Sequence, residues 1–569
     1  MSLLKKIKEY LIYPEIIEKQ NILNSLSIKE QTNDHVITRQ YNQDYDQLYK
    51  DTEYYNGVFD SINTTKLSGG KIALQNLLNN ITNDSNILQQ RQSILESLDI
   101  DYISSKLTSF KENIVLYWLL DNSYADELYN IVYYSNYFLK NLNNIPAALS
   151  AKNIYKIVLS PLIGIVSPII YGIIPYIVLV WKFKIKFSFI KYIKLIFKFY
   201  NTSTATDMLF GGGGSSIFKY ISSLSTIFSF VFYFQGLFNS VEIARTLYNT
   251  SKHIIRIINT VLDFKKDASS LLCAFPIDLS SYQINIGSIK DTCSITSDFC
   301  LNFGRKLHAF KNLDKSCIRN LLTQVYYMDA LVSLKSFKTS KSYCFSEYNQ
   351  ELEYNVLGLC HPSLKNPVEN DMTINTKSNA IITSGNSSGK SILIKSLLIN
   401  TLLGQTCGIS CCTELSKFKP FHNILSCIHV PDITGHASLF EAEMHRSKYI
   451  LDIIKSNDPT IIVMDEIFNS TNPLEAIAAA YAVCKKISEY PNVLLIFTTH
   501  LSYLTKLAKT KRFINYRMQT IVDSDKITFT YKLERGINRH YLALELLKLN
   551  GFDADIIDEA LQIKSDLQN

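Results

Sequence analysis

The stretch IITSGNSSGKSILIKSLLINTLL, running from Ile381 to Leu403, reads as a short apolar strand, a tight loop and an amphipathic helix. A Gly-Lys-Ser at the junction of such a strand and helix builds a phosphate site, because the loop and first helical turn aim several backbone N–H groups at one point. The candidate loop comprises Ser384, Gly385, Asn386, Ser387, Ser388, Gly389, Lys390 and Ser391. Lys390 would reach the β- and γ-phosphates of a nucleotide, and the Ser391 hydroxyl would ligate Mg2+. The loop departs from GxxxxGK[ST] at its first position, where Ser384 stands and Gly385 follows one place late. A GK[ST] triplet recurs by chance, so the weight falls on what lies downstream.

Thr460 to Glu466 spell TIIVMDE, an apolar run ending in two acids, the pattern of a buried parallel strand with a charged carboxyl tip. Asp465 is placed to hold Mg2+ through water and Glu466 to polarise the attacking water, the division of labour that phosphoryl transfer requires. A third strand, Val493 to His500, puts a histidine at its own tip. Ligands of open α/β sheets sit at the carboxyl ends of the strands. Together the three elements specify a site that binds ATP with Mg2+ and hydrolyses it.

Five stretches stand in order along the chain: LCHPSLKNPVENDM (359–372), the loop itself, Gly404-Gln405, GHASLFEAEMHRSKYIL (435–451) and MDEIFNSTNPLEAIAAAYAV (464–483). On these the chain from Val356 onward resembles the MutS family of the ABC ATPase superfamily, with Ser384 and Ser387 where the family usually has Gly and Met. The resemblance implies a dimer with composite ATP sites, either a homodimer or a MutS-like heterodimer. In it Ser438 acts in trans on the γ-phosphate held by the partner, and His500 is a switch histidine. RGINRHYLALELLKLNGF (535–552) is similar to the family's helical dimerisation ending, with Arg539-His-Tyr541 replacing a typical Ser-Tyr-Gly. Upstream, Phe59–Ile81, Asn86–Leu95 and Leu321–Phe337 resemble parts of the family's helical core. Core-like sequence begins within the first 50 or so residues, so the mismatch-reading and connector domains of the family are expected to be missing. Phe110-Lys-Glu112 matches the bare F-x-E pattern of the family's DNA wedge, but it is expected inside a helical stretch. Leu67-Ser-Gly-Gly70 spells the ABC-transporter signature some 300 residues before the phosphate loop, the wrong order for that role, and is expected to be a turn at a helix boundary.

Composition narrows the setting. The 569 residues carry a formal charge of +7, and seven lysines against Asp207 between Lys182 and Lys219 supply +6 of it. Outside that block no excess positive charge marks a nucleic-acid footprint. The eleven cysteines begin at Cys273 without a C-x-x-C pair, so an intracellular setting is expected and a zinc site is not.

Ile157–Trp181 and Tyr220–Val241 hold 25 and 22 residues without a charge, each long enough for a membrane span. Between them a lysine-rich, aromatic stretch (183–200) has the character of a helix on an anionic membrane surface. Lysines on the outside of a two-span hairpin oppose the positive-inside tendency. Breaks at Pro161, Pro168 and Pro175 would answer this by folding the first stretch into a re-entrant hairpin. The alternative for both stretches is buried helices of an enlarged core, or an oligomer interface.

The expected fold is multidomain, α plus α/β: a mostly helical core (1–150 and 242–345), a hydrophobic, membrane-associated insertion (151–241), a MutS-like ABC-type P-loop ATPase domain (346–530) and a helical dimerisation element (531–569). The expected function is a DNA-dependent, mismatch-repair-related ATPase that binds DNA while attached to a membrane with its ATPase facing the cytoplasm. The alternative is a membrane-bound mechanochemical ATPase with no DNA role.

Overall fold

The computed structural model describes residues 46–119, 130, 132–186, 188–194, 216–276, 278–282, 284, 303–385, 388–428, 439–523, 526–538, 544, 547 and 551–568. They fall into two compact units: a helical one, from Lys111–Ser269 and Lys290–Arg319, and a second that holds the α/β part, from Leu23–Phe110, Ser270–Ile289 and Asn320–Asn569.

The second unit opens with α1 (Ser68–Leu78), α2 (Ser85–Ser97) and α3 (Ile100–Ser109). Phe110 caps α3 and Glu112 opens the next helix, so the F-x-E triplet lies at the junction of two helices rather than inside one. The chain then forms the helical unit with α4 (Glu112–Leu119), α5 (Pro146–Ile154), α6 (Ser160–Trp181), α7 (Ser216–Ala274) and α8 (Phe303–Lys311). Its interior is built by Ile254, Ile257, Ile258, Val261, Phe264 and Ala268 on one face of α7, the 3.6-residue stripe of a helix with one buried side. Trp118 packs on Phe310, with ring centroids 5.4 Å apart. Gly304 lets α8 approach α5 closely, since a Cβ there would stand 1.9 Å from the Pro146 carbonyl.

Among the described residues no helix is long and apolar enough to cross a membrane, so the spans expected at 157–181 and 220–241 are not supported. The second stretch is one part of α7, which runs on through Glu242, Arg245, Lys252 and Arg256 to Ala274. The prolines do not break the first stretch: Pro168 and Pro175 sit inside the single helix α6, so the re-entrant hairpin is absent too. The side chains of this region are nevertheless not all covered. Trp181 is 86% exposed, Ile190 66% and Phe183 63%. Lys198 and the Gly211–Gly214 tract lie outside the described residues.

α9 (Lys315–Ser340) continues into the second unit from Asn320. Its buried Asp329 carboxylate accepts the backbone N–H groups of Lys66 (3.0 and 2.9 Å) and Leu67 (2.8 Å), at the start of α1. There a Cβ on Gly69 would fall 2.2 Å from the Tyr326 ring, and one on Gly70 2.3 Å from Asp329 Oδ2. The Leu-Ser-Gly-Gly run is thus a helix start pressed onto α9, as its position at a helix boundary suggested.

Two sheets complete this unit. One holds β1 (Ser346–Tyr348), β2 (Glu353–Leu359), β3 (Asn370–Asn375) and β5 (Cys412–Phe418) in the order β1-β5-β2-β3. The other has the order β10-β9-β4-β8-β7-β6 and contains β4 (Asn379–Thr383), β6 (Asn423–Cys427), β7 (Thr460–Asp465), β8 (Val493–Thr499), β9 (Phe513–Asp523) and β10 (Lys526–Arg535). All its pairings are parallel except that of β10 with β9. β4 and β8 are buried at every position, which is why they read as unbroken apolar runs. The helix after the loop is α10 (Lys390–Thr406), followed by α11 (Leu439–Ile453), α12 (Pro473–Ile487) and α13 (Ala554–Gln568). Expected as amphipathic, α10 is instead buried almost all round, and its polar residues are satisfied inside. Asn400 donates to Tyr354 OH (2.8 Å) and Ser416 Oγ (3.0 Å), and Gln405 donates to the Phe421 carbonyl (2.8 Å). At its far end, the fully buried Arg91 of α2 donates to the carbonyls of Thr406 (2.6 Å), Asn80 (2.7 Å) and Ser281 (2.7 Å). A cation at a helix C-terminus is also favoured by the helix dipole.

Candidate active site

The loop leaves β4 at Thr383, whose hydroxyl donates to the Tyr516 carbonyl (3.1 Å) and accepts from Asn538 N (2.9 Å). Ser384 and Ser388 are both buried, their hydroxyl oxygens 2.5 Å apart, and Ser388 donates to the Gly385 carbonyl at 2.8 Å. The serine that departs from the motif therefore helps to close the loop on itself. Gly389 precedes α10 with φ 93°, a left-handed conformation that glycine adopts without a Cβ penalty. A Cβ there would also stand 2.9 Å from the Tyr531 ring.

The first two residues of α10 meet the tip of β7. Lys390 Nζ lies 2.6 Å from Glu466 Oε1, with the lysine buried. Ser391 Oγ donates to Asp465 Oδ2 at 2.8 Å, and the Thr498 hydroxyl of β8 donates to the other Asp465 oxygen. Because β8 lies between β4 and β7, Thr498 and His500 reach the same point. His500 Nδ1 is 3.5 Å from Glu466 Oε2, and Asn469 Nδ2 donates to that oxygen at 2.7 Å. The bond from His500, helped by Lys390 and opposed by partial burial, pulls the Glu466 carboxyl down to about 2. Glu466 and Phe468 both hold left-handed backbone, at φ 49° and 63°. Such strain persists where the surroundings enforce it and concentrates at functional sites. Phe468 is held by Phe440 of α11, with centroids 5.7 Å apart, and Ser470 Oγ donates to Glu443 of the same helix at 2.8 Å.

These groups open on a cavity of about 730 Å³. Its lining combines the polar Lys390, Ser391, Asp465 and Glu466 with His361, Leu364, Pro367, Val368, Met518 and Tyr531. Burial, and then the neighbouring Lys395, hold the His361 imidazole below its usual value and so favour its neutral form. Among the described residues no group of three or more His, Cys, Asp or Glu side chains is arranged to hold a metal. Ser391 Oγ and Asp465 are the oxygen donors suited to Mg2+, which commonly takes only one or two protein ligands beside substrate phosphates and water.

Of the residues expected from sequence, Ser384, Gly385, Ser388, Gly389, Lys390, Ser391, Asp465, Glu466 and His500 come together here. Asn386, Ser387 and Ser438 lie outside the described residues. Thr498, Asn469 and Tyr531 escaped the sequence reading. Thr498 stands two residues before His500 on a strand already expected to end at the site, and that spacing could have found it. Nothing in the sequence around Tyr531 sets it apart from an ordinary strand tyrosine.

Residues 380–568 match the model of MutS domain V. Over 267 residues the chain is 28% identical to "MutS protein homolog 4" of Mus musculus, covering 44% of this chain and 27% of the relative. It is 30% identical over 212 residues to "DNA mismatch repair protein MSH3" of Saccharomyces cerevisiae, covering 35% and 20%. It is 24% identical over 251 residues to "DNA mismatch repair protein MutS" of Chlorobaculum parvum, covering 42% and 28%. The matches thus span roughly a quarter of the length of these curated relatives.

Proposed function

We propose that this chain, a relative of the MutS proteins whose residues 380–568 are a MutS domain V, binds ATP with Mg2+ and hydrolyses it in a DNA-repair-related role. The observation that carries this is the meeting of Lys390, Ser391, Asp465 and Glu466 in one cavity behind a left-handed Gly389. In the bound state Lys390 exchanges Glu466 for the β- and γ-phosphates, and the backbone N–H groups at the start of α10 hold the phosphate chain. Ser391, and Asp465 through water, would hold Mg2+, and the ion would supply positive charge for the transferred phosphoryl group. Glu466, freed from Lys390, orients the attacking water beside His500. Tyr531 and the apolar wall take the base, since π-faces and aliphatic side chains suit a purine ring.

Two subunits complete the site in this reading: Ser438 reaches the partner's γ-phosphate and residues 531–569 dimerise the chain. Two of the relatives are DNA mismatch repair proteins by name, which supports DNA as the partner; duplex or branched DNA in an intracellular setting is the form this reading expects. The test is hydrolysis by purified chain. Wild type turns over ATP, Glu466→Gln binds it with little turnover, and a mixture of inactive Ser438→Ala and Lys390→Ala proteins recovers activity through hybrid dimers. Failure of the mixture to recover removes the role of Ser438 in trans. DNA binding should weaken steeply with salt, as phosphate contacts do, and no retention of duplex, junction or mismatched DNA at low salt removes the DNA role.

A second reading, a mechanochemical ATPase at a membrane surface without DNA, is favoured by one observation. The exposed Trp181, Phe183 and Ile190 alternate with Lys182, Lys184, Lys186 and Lys191, a pairing suited to anionic headgroups. Flotation with anionic liposomes, but not with neutral ones, supports it; no flotation removes it.

A further inference from the structure

β10 runs antiparallel to β9 with a register shift between Phe529 and Leu533, so the residues between them leave the regular ladder. Among them Tyr531 has φ 57°, a conformation unfavourable for a bulky aromatic residue and kept only where neighbours enforce it. The neighbour is Asn370, the buried first residue of β3. Its Nδ2 donates to the carbonyls of Tyr531 and Val368, both at 3.1 Å, and its Oδ1 accepts from Leu533 N at 2.7 Å. One carboxamide thus binds the backbone both within the bulge, at Tyr531, and at its end, at Leu533. Lys532 Nζ donates to the adjacent Glu369 carbonyl and ties the same bulge to the same strand. The arrangement sets the Tyr531 ring against Gly389 at the edge of the phosphate loop, with the ring lining the cavity and 45% of the residue exposed.

We propose that Asn370 is a positioning residue for the nucleotide base: by pinning the bulge, its carboxamide fixes Tyr531 as the platform on which a purine ring stacks. The proposal rests on the ATP reading of the site and concerns only its base end. The amide is required because both of its N–H groups are used. An aspartate would retain the bond from Leu533 N but set its second oxygen against two carbonyl oxygens.

The test compares Mg2+-ATP with inorganic tripolyphosphate, which carries the phosphates without a base, on the full chain. Asn370→Asp should bind ATP roughly tenfold more weakly, the scale of one or two lost hydrogen bonds, with tripolyphosphate affinity unchanged. Tyr531→Ala should show the same selective loss, and adding Asn370→Asp to it should cost nothing more. Unchanged ATP affinity in Asn370→Asp overturns the proposal. So does an equal loss of ATP and tripolyphosphate, which would mark Asn370 as a residue of the fold at large. Tripolyphosphate binding also separates this proposal from the reading it rests on: a wild-type chain that binds neither probe removes the ATP site itself.

Discussion

Lys390 Nζ and Glu466 Oε1 lie 2.6 Å apart, so the cation suited to hold phosphate is paired with the acid suited to orient water. Each occupies the other until something more strongly charged enters. In the proposed reading, phosphates would draw Lys390 away and free the carboxylate for water, so nucleotide entry and assembly of the hydrolytic geometry would be one event.

Glu466→Gln tests that linkage. The amide pairs weakly with Lys390, so ATP should bind at least as tightly as to wild type. Hydrolysis should fall by about 100-fold or more, the usual scale for losing one general base or electrostatic group. Equilibrium titration and single-turnover hydrolysis check the two halves separately. Unchanged turnover would remove Glu466 from its role.

The pH dependence follows from the depressed Glu466 carboxyl. Its folded value of about 2 lies below the ordinary 4.5. Its interactions with His500 and Lys390 therefore contribute in full above the ordinary value and are lost as pH falls through the folded one. Carbon-13 NMR of the carboxyl should show a midpoint of about 2, and His500→Ala should raise it because that bond is the largest cause. No change in His500→Ala would contradict the assignment.

Gly69→Ala should destabilise the second unit by about 1–3 kcal/mol, the range for overpacking a filled contact, because the new Cβ meets the Tyr326 ring. Denaturant unfolding measures it. A neutral effect would mean that α1 is free to move off α9.

Arg91→Met should cost roughly 3 kcal/mol or more, since it strips hydrogen bonds from the carbonyls of Asn80, Ser281 and Thr406 in a buried place. Unfolding by denaturant reads this as well, and a loss below about 1 kcal/mol would show that water replaces the guanidinium.

The candidate site was legible because phosphate chemistry restricts both residue type and position. Gly389, Lys390, Ser391, Asp465 and Glu466 each stand at the end of an element whose apolar pattern marks it as strand or helix. The departure at Ser384 was legible, but its consequence was not: that its hydroxyl packs against Ser388 depends on the path of the loop. Tyr531 was hidden because a strand tyrosine is ordinary until a bulge turns its backbone left-handed, and that bulge depends on a carboxamide some 160 residues earlier. The apolar stretches were ambiguous for a different reason. Hydropathy over 220–241 says nothing of a helix that continues through Glu242 and Arg245 to Ala274, and proline spacing says nothing of whether α6 tolerates Pro168 and Pro175.

The most direct measurement is equilibrium binding of Mg2+-ATP to the purified full chain, alongside Lys390→Ala. A phosphate site at Lys390 predicts saturable binding that tripolyphosphate competes away and that Lys390→Ala weakens by about 100-fold or more, the loss of a charged phosphate contact. Binding that is equally strong in Lys390→Ala, or no binding by the wild-type chain, would contradict it.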